Sequence, residues 1–326
     1  MIHRLTRFLL AAGAAAASIA AAALVALGAG PAQAASANLF ASVSASGTLV
    51  TGNGVSSVTH IGTGQYEVTF STNVQSCAYV ATTINASSQA LLVFTAGGHL
   101  SADGVYVETK NQGGGLTDGP FNLAVDCGLP GWSFAVVGYT ANLVRATTGT
   151  TVTHLGTGRY DVTFPANISK CAYLATVGDP VNSLVVNPNG VYTGSGPNSH
   201  TVYIETKNLG GGLADGIPFH LAVICTSAAS THIAVVNATG IPARGSALTS
   251  SFSASTGNYT LATSQALNAC AAIATRGSAN TSVPFDPATV EITPGPAANT
   301  TGIQVRTLLA GGGNLAAESF HAAMIC

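Results

Sequence analysis

Three stretches of this 326-residue chain repeat one another, and that repetition limits the folds open to it more than any other feature. In the first copy Phe40 leads through Gly62-Thr63-Gly64-Gln65-Tyr66-Glu67-Val68-Thr69-Phe70 to Cys77-Ala78-Tyr79. In the second, Phe134 leads through Gly156-Thr157-Gly158-Arg159-Tyr160-Asp161-Val162-Thr163-Phe164 to Cys171-Ala172-Tyr173. The third is divergent: Ile233 leads through Thr256-Gly257-Asn258-Tyr259-Thr260-Leu261 to Cys270-Ala271-Ala272. The lead residue stands the same distance ahead of the first cysteine in all three. Each copy closes on a matching segment: Phe121 to Cys127, Phe219 to Cys225 and Phe320 to Cys326.

Apolar residues inside a copy recur with period two, and turn residues arrive roughly every ten positions. Tyr66, Val68 and Phe70 share one strand face. Phe121, Leu123 and Val125 share another, with Asn122, Ala124 and Asp126 opposite. The pattern predicts half-buried antiparallel strands, about seven per copy, and no helix in the repeated region. An apolar sheet face must be covered. The expected fold is all-β: three tandem small β-sandwich or jelly-roll modules of roughly 90 residues each. A continuous solenoid is the weaker alternative, because its repeats run to only ~20–45 residues.

The first 34 residues read as an export leader. Arg4 and Arg7 are followed by an apolar run from Phe8 to Leu27 and by the small-residue site Ala32-Gln33-Ala34. An uncleaved anchor is the competing reading, since about 20 apolar residues can cross a bilayer. The alanine-rich run favours cleavage. The expected organisation is therefore a signal peptide over 1–34 and modules over 35–129, 130–229 and 230–326. With no lipid-accepting cysteine, no later span and no terminal sorting tail, secretion to the extracellular space is the expectation.

Export places the six cysteines in an oxidising compartment. They fall two per copy, and three equivalent folds should make three equivalent bonds: Cys77 with Cys127, Cys171 with Cys225, and Cys270 with Cys326. Each closing cysteine follows the Phe and Leu of its strand on one face, so the bonds should be buried. Closing a loop of this length contributes on the order of 4 kcal/mol on the chain-entropy model.

The strings G-T-G-x-Y-[ED]-V-T-F, C-A-Y-x-A-T and P-F-H-L-A-V-I-C resemble a repeated disulfide-bonded β-module of exported proteins from high-GC Gram-positive bacteria. Related segments are similar to head-like modules that follow collagen-like or tail-fibre-like stalks. The resemblance implies a β-module outside the cell and carries over no activity or catalytic residue. It covers the first two copies well and the third poorly.

Only 7% of residues are charged, against a usual quarter, so no basic stripe exists to neutralise phosphates and nucleic-acid binding is excluded. No nucleophile elbow, metalloprotease helix or phosphate loop occurs, so the chain is expected to be no enzyme and to need no metal or cofactor. Among eight histidines, His60 and His154 share one column and His220 and His321 another. All four are expected to face outward from strands, with no carboxylate at ligand spacing.

The weak candidate binding face comprises Glu108, Lys110 and Asp118 in copy one and Glu205, Lys207 and Asp215 in copy two. The plainer reading is a solvated strand face followed by a glycine turn that the Asp serves. Copy three places Arg306 at the Glu position and Leu308 at the Lys position. It is therefore expected to have lost any device built on that pair and to cap the end of the array. The favoured function is non-enzymatic: extracellular binding, adhesion or an envelope-surface structural role, toward a cell-wall or other extracellular polymer or protein, with self-association open through free strand edges. A secreted hydrolase or its accessory domain is the first alternative. An inhibitor of extracellular enzymes, acting through the glycine-rich loops, is the second.

Overall fold

The structure is a computed structural model that describes residues 38–84, 90–181, 189–225, 231–245, 249–253, 258–263, 266–280, 288–294, 301–309 and 316–326. The leader, its cleavage site and the run Gly311–Gly313 lie outside the described residues. Among the described residues there is no helix, and so none long and apolar enough to cross a membrane. The chain is all-β.

Among the described residues each copy supplies eight strands, one more than the turn spacing suggests. Copy one holds β1 (Leu39–Val43), β2 (Leu49–Asn53), β3 (Val55–Gly62), β4 (Gln65–Phe70), β5 (Ala78–Ile84), β6 (Leu92–Gly97), β7 (Gly104–Lys110) and β8 (Phe121–Asp126). Copy two continues with β9 (Trp132–Val137), β10 (Leu143–Ala146), β11 (Thr151–Gly156), β12 (Arg159–Thr163), β13 (Cys171–Val177), β14 (Asn189–Ser195), β15 (Thr201–Asn208) and β16 (Phe219–Cys225). Copy three adds β17 (Thr231–Val236), β18 (Pro242–Gly245), β19 (Thr249–Ser253), β20 (Asn258–Ala262), β21 (Ala271–Ser278), β22 (Ala288–Pro294), β23 (Gly302–Leu309) and β24 (Phe320–Ile325).

In copy one, β2-β1-β8-β5 form an inner layer and β3-β4-β7-β6 an outer layer. Tyr66, Val68 and Phe70 of β4 meet Leu123 and Val125 of β8 and Val105 and Val107 of β7 in one core between the layers. The period-two pattern thus buries the face it predicts. The same orders recur as β10-β9-β16-β13 with β11-β12-β15-β14, and as β18-β17-β24-β21 with β19-β20-β23-β22.

The layers do not end at the copy boundaries. Strand β14 of copy two pairs in parallel with β21 of copy three, setting Thr193 opposite Gly277, and β22 of copy three pairs in parallel with β5 of copy one, setting Glu291 opposite Thr83. A parallel bridge between Thr95 and Gly178 joins copy one to copy two. Each outer layer runs into the inner layer of the next copy, and the three copies close a ring. Copy three therefore does not cap a linear array, as the sequence suggested. It touches both of the others.

Closure explains why the strands are more than half-buried. All six residues of β8 are buried, including Asn122, Ala124 and Asp126. Their face of the inner layer turns toward the ring axis, where Phe40, Val80, Leu174, Ile233, Ile273 and Trp132 form a shared core drawn from all three copies.

Hydroxyls bind the copies together around this axis. The amides of Ala81, Ala175 and Ala274 donate to the side-chain oxygens of Thr176, Thr275 and Thr82 at 2.8, 2.9 and 2.8 Å. Each hydroxyl donates back to the carbonyl of the same alanine. These alanines lie on β5, β13 and β21 just before the parallel pairing with the next copy begins, where the strand edge would otherwise leave buried amides without partners.

The three bonds Cys77–Cys127, Cys171–Cys225 and Cys270–Cys326 are present. Cys171 stands directly opposite Cys225 on paired strands. Burial is less complete than the alternation implies: Cys77 and Cys171 are buried, but Cys270 and the closing Cys127, Cys225 and Cys326 are half-buried. The closing cysteines sit where the chain leaves its last strand, so the layers cover only one side of each.

Candidate functional site

The six residues of the expected binding face divide into two environments. Glu108 and Lys110 form an ion pair at 2.9 Å, and Glu205 and Lys207 one at 3.2 Å. All four are buried. They are not a solvated strand face. The register sets Phe94 opposite Glu108 and Leu92 opposite Lys110, and both apolar residues join the core cluster of copy two. The neighbouring copy therefore covers this part of the outer layer. Tyr106 and Tyr203 hydroxyls donate to Glu108 and Glu205 at 3.1 Å each. Lys110 sits over the Phe94 ring and Lys207 over Tyr192.

Copy three has not lost this device. It has reversed it: Arg306 pairs at 2.9 Å with Glu291, which stands opposite it on β22. Glu291 also accepts the Leu91 amide of copy one at 3.1 Å.

Asp118 and Asp215 are the exposed pair, and each is met by a histidine. His60 Nε2 lies 2.9 Å from Asp118 Oδ1, and His154 Nε2 lies 2.9 Å from Asp215 Oδ1. The expectation that no carboxylate stands beside this column is corrected, because the loop after β7 folds back over the β3–β4 turn and brings in an Asp remote in sequence. The same carboxylate oxygens accept the Gly64 and Gly158 amides at 2.6 and 2.7 Å. Those amide bonds lead in holding both carboxyls below the usual carboxylate range, and the histidines add to the effect. Each imidazole lies against a tyrosine ring, His60 on Tyr66 at 5.0 Å and His154 on Tyr160 at 5.1 Å.

The turn depends on glycine. Gly64 has φ of 66°, and a Cβ there would meet Thr109 O at 2.4 Å and Thr117 N at 2.7 Å. The following glycine-rich loops are bracketed by asparagine: Asn111 Oδ1 accepts the Gly113 and Gly115 amides, and Asn208 Oδ1 accepts that of Gly212.

In copy three the corresponding ring contact is Phe252 on Tyr259, at 4.7 Å. Thr307 bonds to the carbonyl of Ala316 as Thr109 bonds to that of Thr117, which puts Ala317 at the Asp118 position. Histidine and aspartate have been exchanged together.

His220 and His321 are not outward-facing. Both are fully buried where one copy meets the next. The Tyr79 amide donates to His220 Nδ1 at 3.0 Å, so the ring proton is on Nε2, which donates to the Asp179 carbonyl at 3.2 Å. His321 is held likewise by the Tyr173 amide at 2.9 Å and the Ser278 carbonyl at 3.2 Å. Burial, with Arg145 nearby, pushes His220 down to about 3. Burial and Arg244 lower His321 as well. Both are neutral structural groups.

Arg145 and Arg244 went unnoticed in the sequence. Arg145 Nε donates to the Cys77 carbonyl at 2.8 Å with its guanidinium over Tyr79, and Arg244 repeats this on Cys171 and Tyr173. Aligning the copies would have shown the two arginines in one column. A pocket at one end of the ring axis is lined by Thr82, Thr176, Thr275, Leu92, Val191 and Val290. The hydroxyls of Thr82, Thr176 and Thr275 are already engaged between the copies, and Thr83 donates to the Leu91 carbonyl. Thr289 Oγ1, also in the lining, is buried without a hydrogen-bond partner among the described residues. Among the described residues no group of three or more His, Cys, Asp or Glu is placed to hold a metal ion. Compared with known proteins, the chain matches no family model, no curated protein and no solved structure.

Proposed function

We propose that the protein is a secreted, non-enzymatic binding head that presents one surface at two fixed positions on a rigid ring. The observation that carries this reading is the duplicated His–Asp pair. His60 with Asp118 and His154 with Asp215 are exposed, share one geometry, and are flanked by Ile61 and Leu155, which are 44% and 51% exposed. A repeated mixed apolar and polar surface suits contact with an extracellular polymer or protein, and duplication raises avidity without new chemistry. Three intramolecular disulfides accord with life outside the cell. The leader read over 1–34 supplies the route.

The test is a binding screen of the purified chain from Ala35 onward against cell-wall preparations and glycans. For a polymer that binds, His60→Ala or His154→Ala alone should weaken binding, and the two together should remove it. Full binding by the double variant overturns the assignment. Hydrolysis of the polymer that disappears in the double variant would favour the hydrolase reading instead.

A further inference from the structure

The three junctions of the ring are built to two patterns. Between copies one and two, Tyr79 faces His220 and Arg145. Between copies two and three, Tyr173 faces His321 and Arg244. Between copies three and one, all three positions differ at once. Ala272 takes the tyrosine position, and Asn122 takes the histidine position and donates to the Ala272 carbonyl at 2.8 Å. Thr51, opposite Ser42 as Arg145 is opposite Val136, takes the arginine position. Large residues meet large ones, and small residues meet small ones.

The geometry points to these nine residues as a pairing code that fixes the cyclic order of the copies and makes the third-to-first junction the seam at which the ring opens first. In the reversed order, the Ala272 face would meet Arg145 and His220, and the Tyr173 face would meet Thr51 and Asn122. The first mismatch strips two buried polar side chains of aromatic cover, and the second sets a tyrosine against groups shaped for alanine. Only the observed order satisfies all three junctions.

Among the described residues the seam has no arginine over an aromatic ring, no arginine-to-carbonyl bond across it and no histidine stacked on tyrosine. The other two junctions each have all three, with imidazole–tyrosine centroids at 4.8 and 4.9 Å. Its compensating contacts are all hydrogen bonds: Asn122 to the Ala272 carbonyl, Asn38 to the Cys326 carbonyl at 3.3 Å, and the Leu91 amide to Glu291. Hydrogen bonds contribute about 1 kcal/mol net each at every junction, so the cation–π and aromatic contacts of the other two junctions make the difference.

Three equivalent amides read the junctions separately. Ala81, Ala175 and Ala274 each follow an aliphatic residue and each donate to a threonine of the adjoining copy. Residue-resolved hydrogen exchange on the whole mature chain under native conditions should show Ala274 exchanging at least about tenfold faster than Ala81 and Ala175. Equal rates, or a faster Ala81 or Ala175, overturn the proposal. The variant Thr51→Arg/Asn122→His/Ala272→Tyr should slow Ala274 to the rate of the other two. The variant Tyr79→Ala/Arg145→Thr/His220→Asn should raise Ala81 to the rate of Ala274. A folded variant of either kind that leaves its reporter unchanged also overturns it, and the measurement on the unmodified chain stands if a variant fails to fold.

Discussion

The imidazole of His220 accepts the backbone amide of Tyr79 across the boundary between two copies, at 3.0 Å and out of reach of water. A side chain of one copy thereby completes the sheet edge of another, and only the neutral imidazole can do so.

That requirement sets an acid limit on stability. The folded-state pKa of His220, about 3, lies below its unfolded value near 6.5, so its contribution is fully present above pH 6.5 and is lost as pH falls toward 3. His321 shifts in the same direction. Denaturant titrations at pH 7, 5 and 4 should show stability falling by a few kcal/mol across this range, and His220→Asn/His321→Asn should flatten the slope while lowering stability at pH 7. An unchanged slope would locate the acid sensitivity elsewhere.

Asp126 should act in the opposite sense. It occupies the axial position held by Ile224 and Ile325 in the other copies, and burial raises its carboxyl to about 7. Its contribution is fully present below pH ~4 and is lost as pH rises through 7. Asp126→Asn keeps an oxygen to accept the Gly128 amide, which is held at 2.8 Å. The substitution should stabilise the protein by about 2–4 kcal/mol at pH 8 and by much less at pH 5. Thermal melts at the two pH values distinguish this from a uniform effect.

Thr176→Val keeps the shape of the side chain but leaves the Ala81 amide buried without an acceptor. It should cost about 1–3 kcal/mol, and Thr176→Ser should cost distinctly less. Equilibrium unfolding of both variants checks the difference. A serine variant as unstable as the valine one would mean that the methyl group, not the hydroxyl, holds the junction.

Peptide mapping without reduction should find Cys77 linked to Cys127, Cys171 to Cys225 and Cys270 to Cys326. Replacing Cys171 and Cys225 together by serine should cost about 2–5 kcal/mol. A smaller loss in denaturant titrations would show that the antiparallel ladder holds β13 to β16 without the bond.

Local rules of the chain were enough for the strand content, the faces of β4 and β8 that meet the sandwich core, and the cysteine pairing. Alternation with period two, glycine turns and repeated cysteine spacing act over short distances or copy by copy, and they can be read in order along the sequence. What the second face of each inner layer does could not be read that way. Asn122, Ala124 and Asp126 look like a solvated face because nothing within copy one covers them, and His220 and His321 look outward-facing for the same reason. Glu108 and Lys110 are buried because copy two lies over them. His60 meets Asp118 only because a distant loop folds back across a turn. Ring closure decided all of these except the His60–Asp118 pair, which forms within copy one. It joins residues 95 and 192 positions apart, Ala81 with Thr176 and Thr82 with Ala274, and a single copy carries no trace of the surfaces it will meet. Only when the three copies are compared column by column, with the ring in view, does the exchange of Tyr, Arg and His for Ala, Thr and Asn become legible as a fit between neighbours.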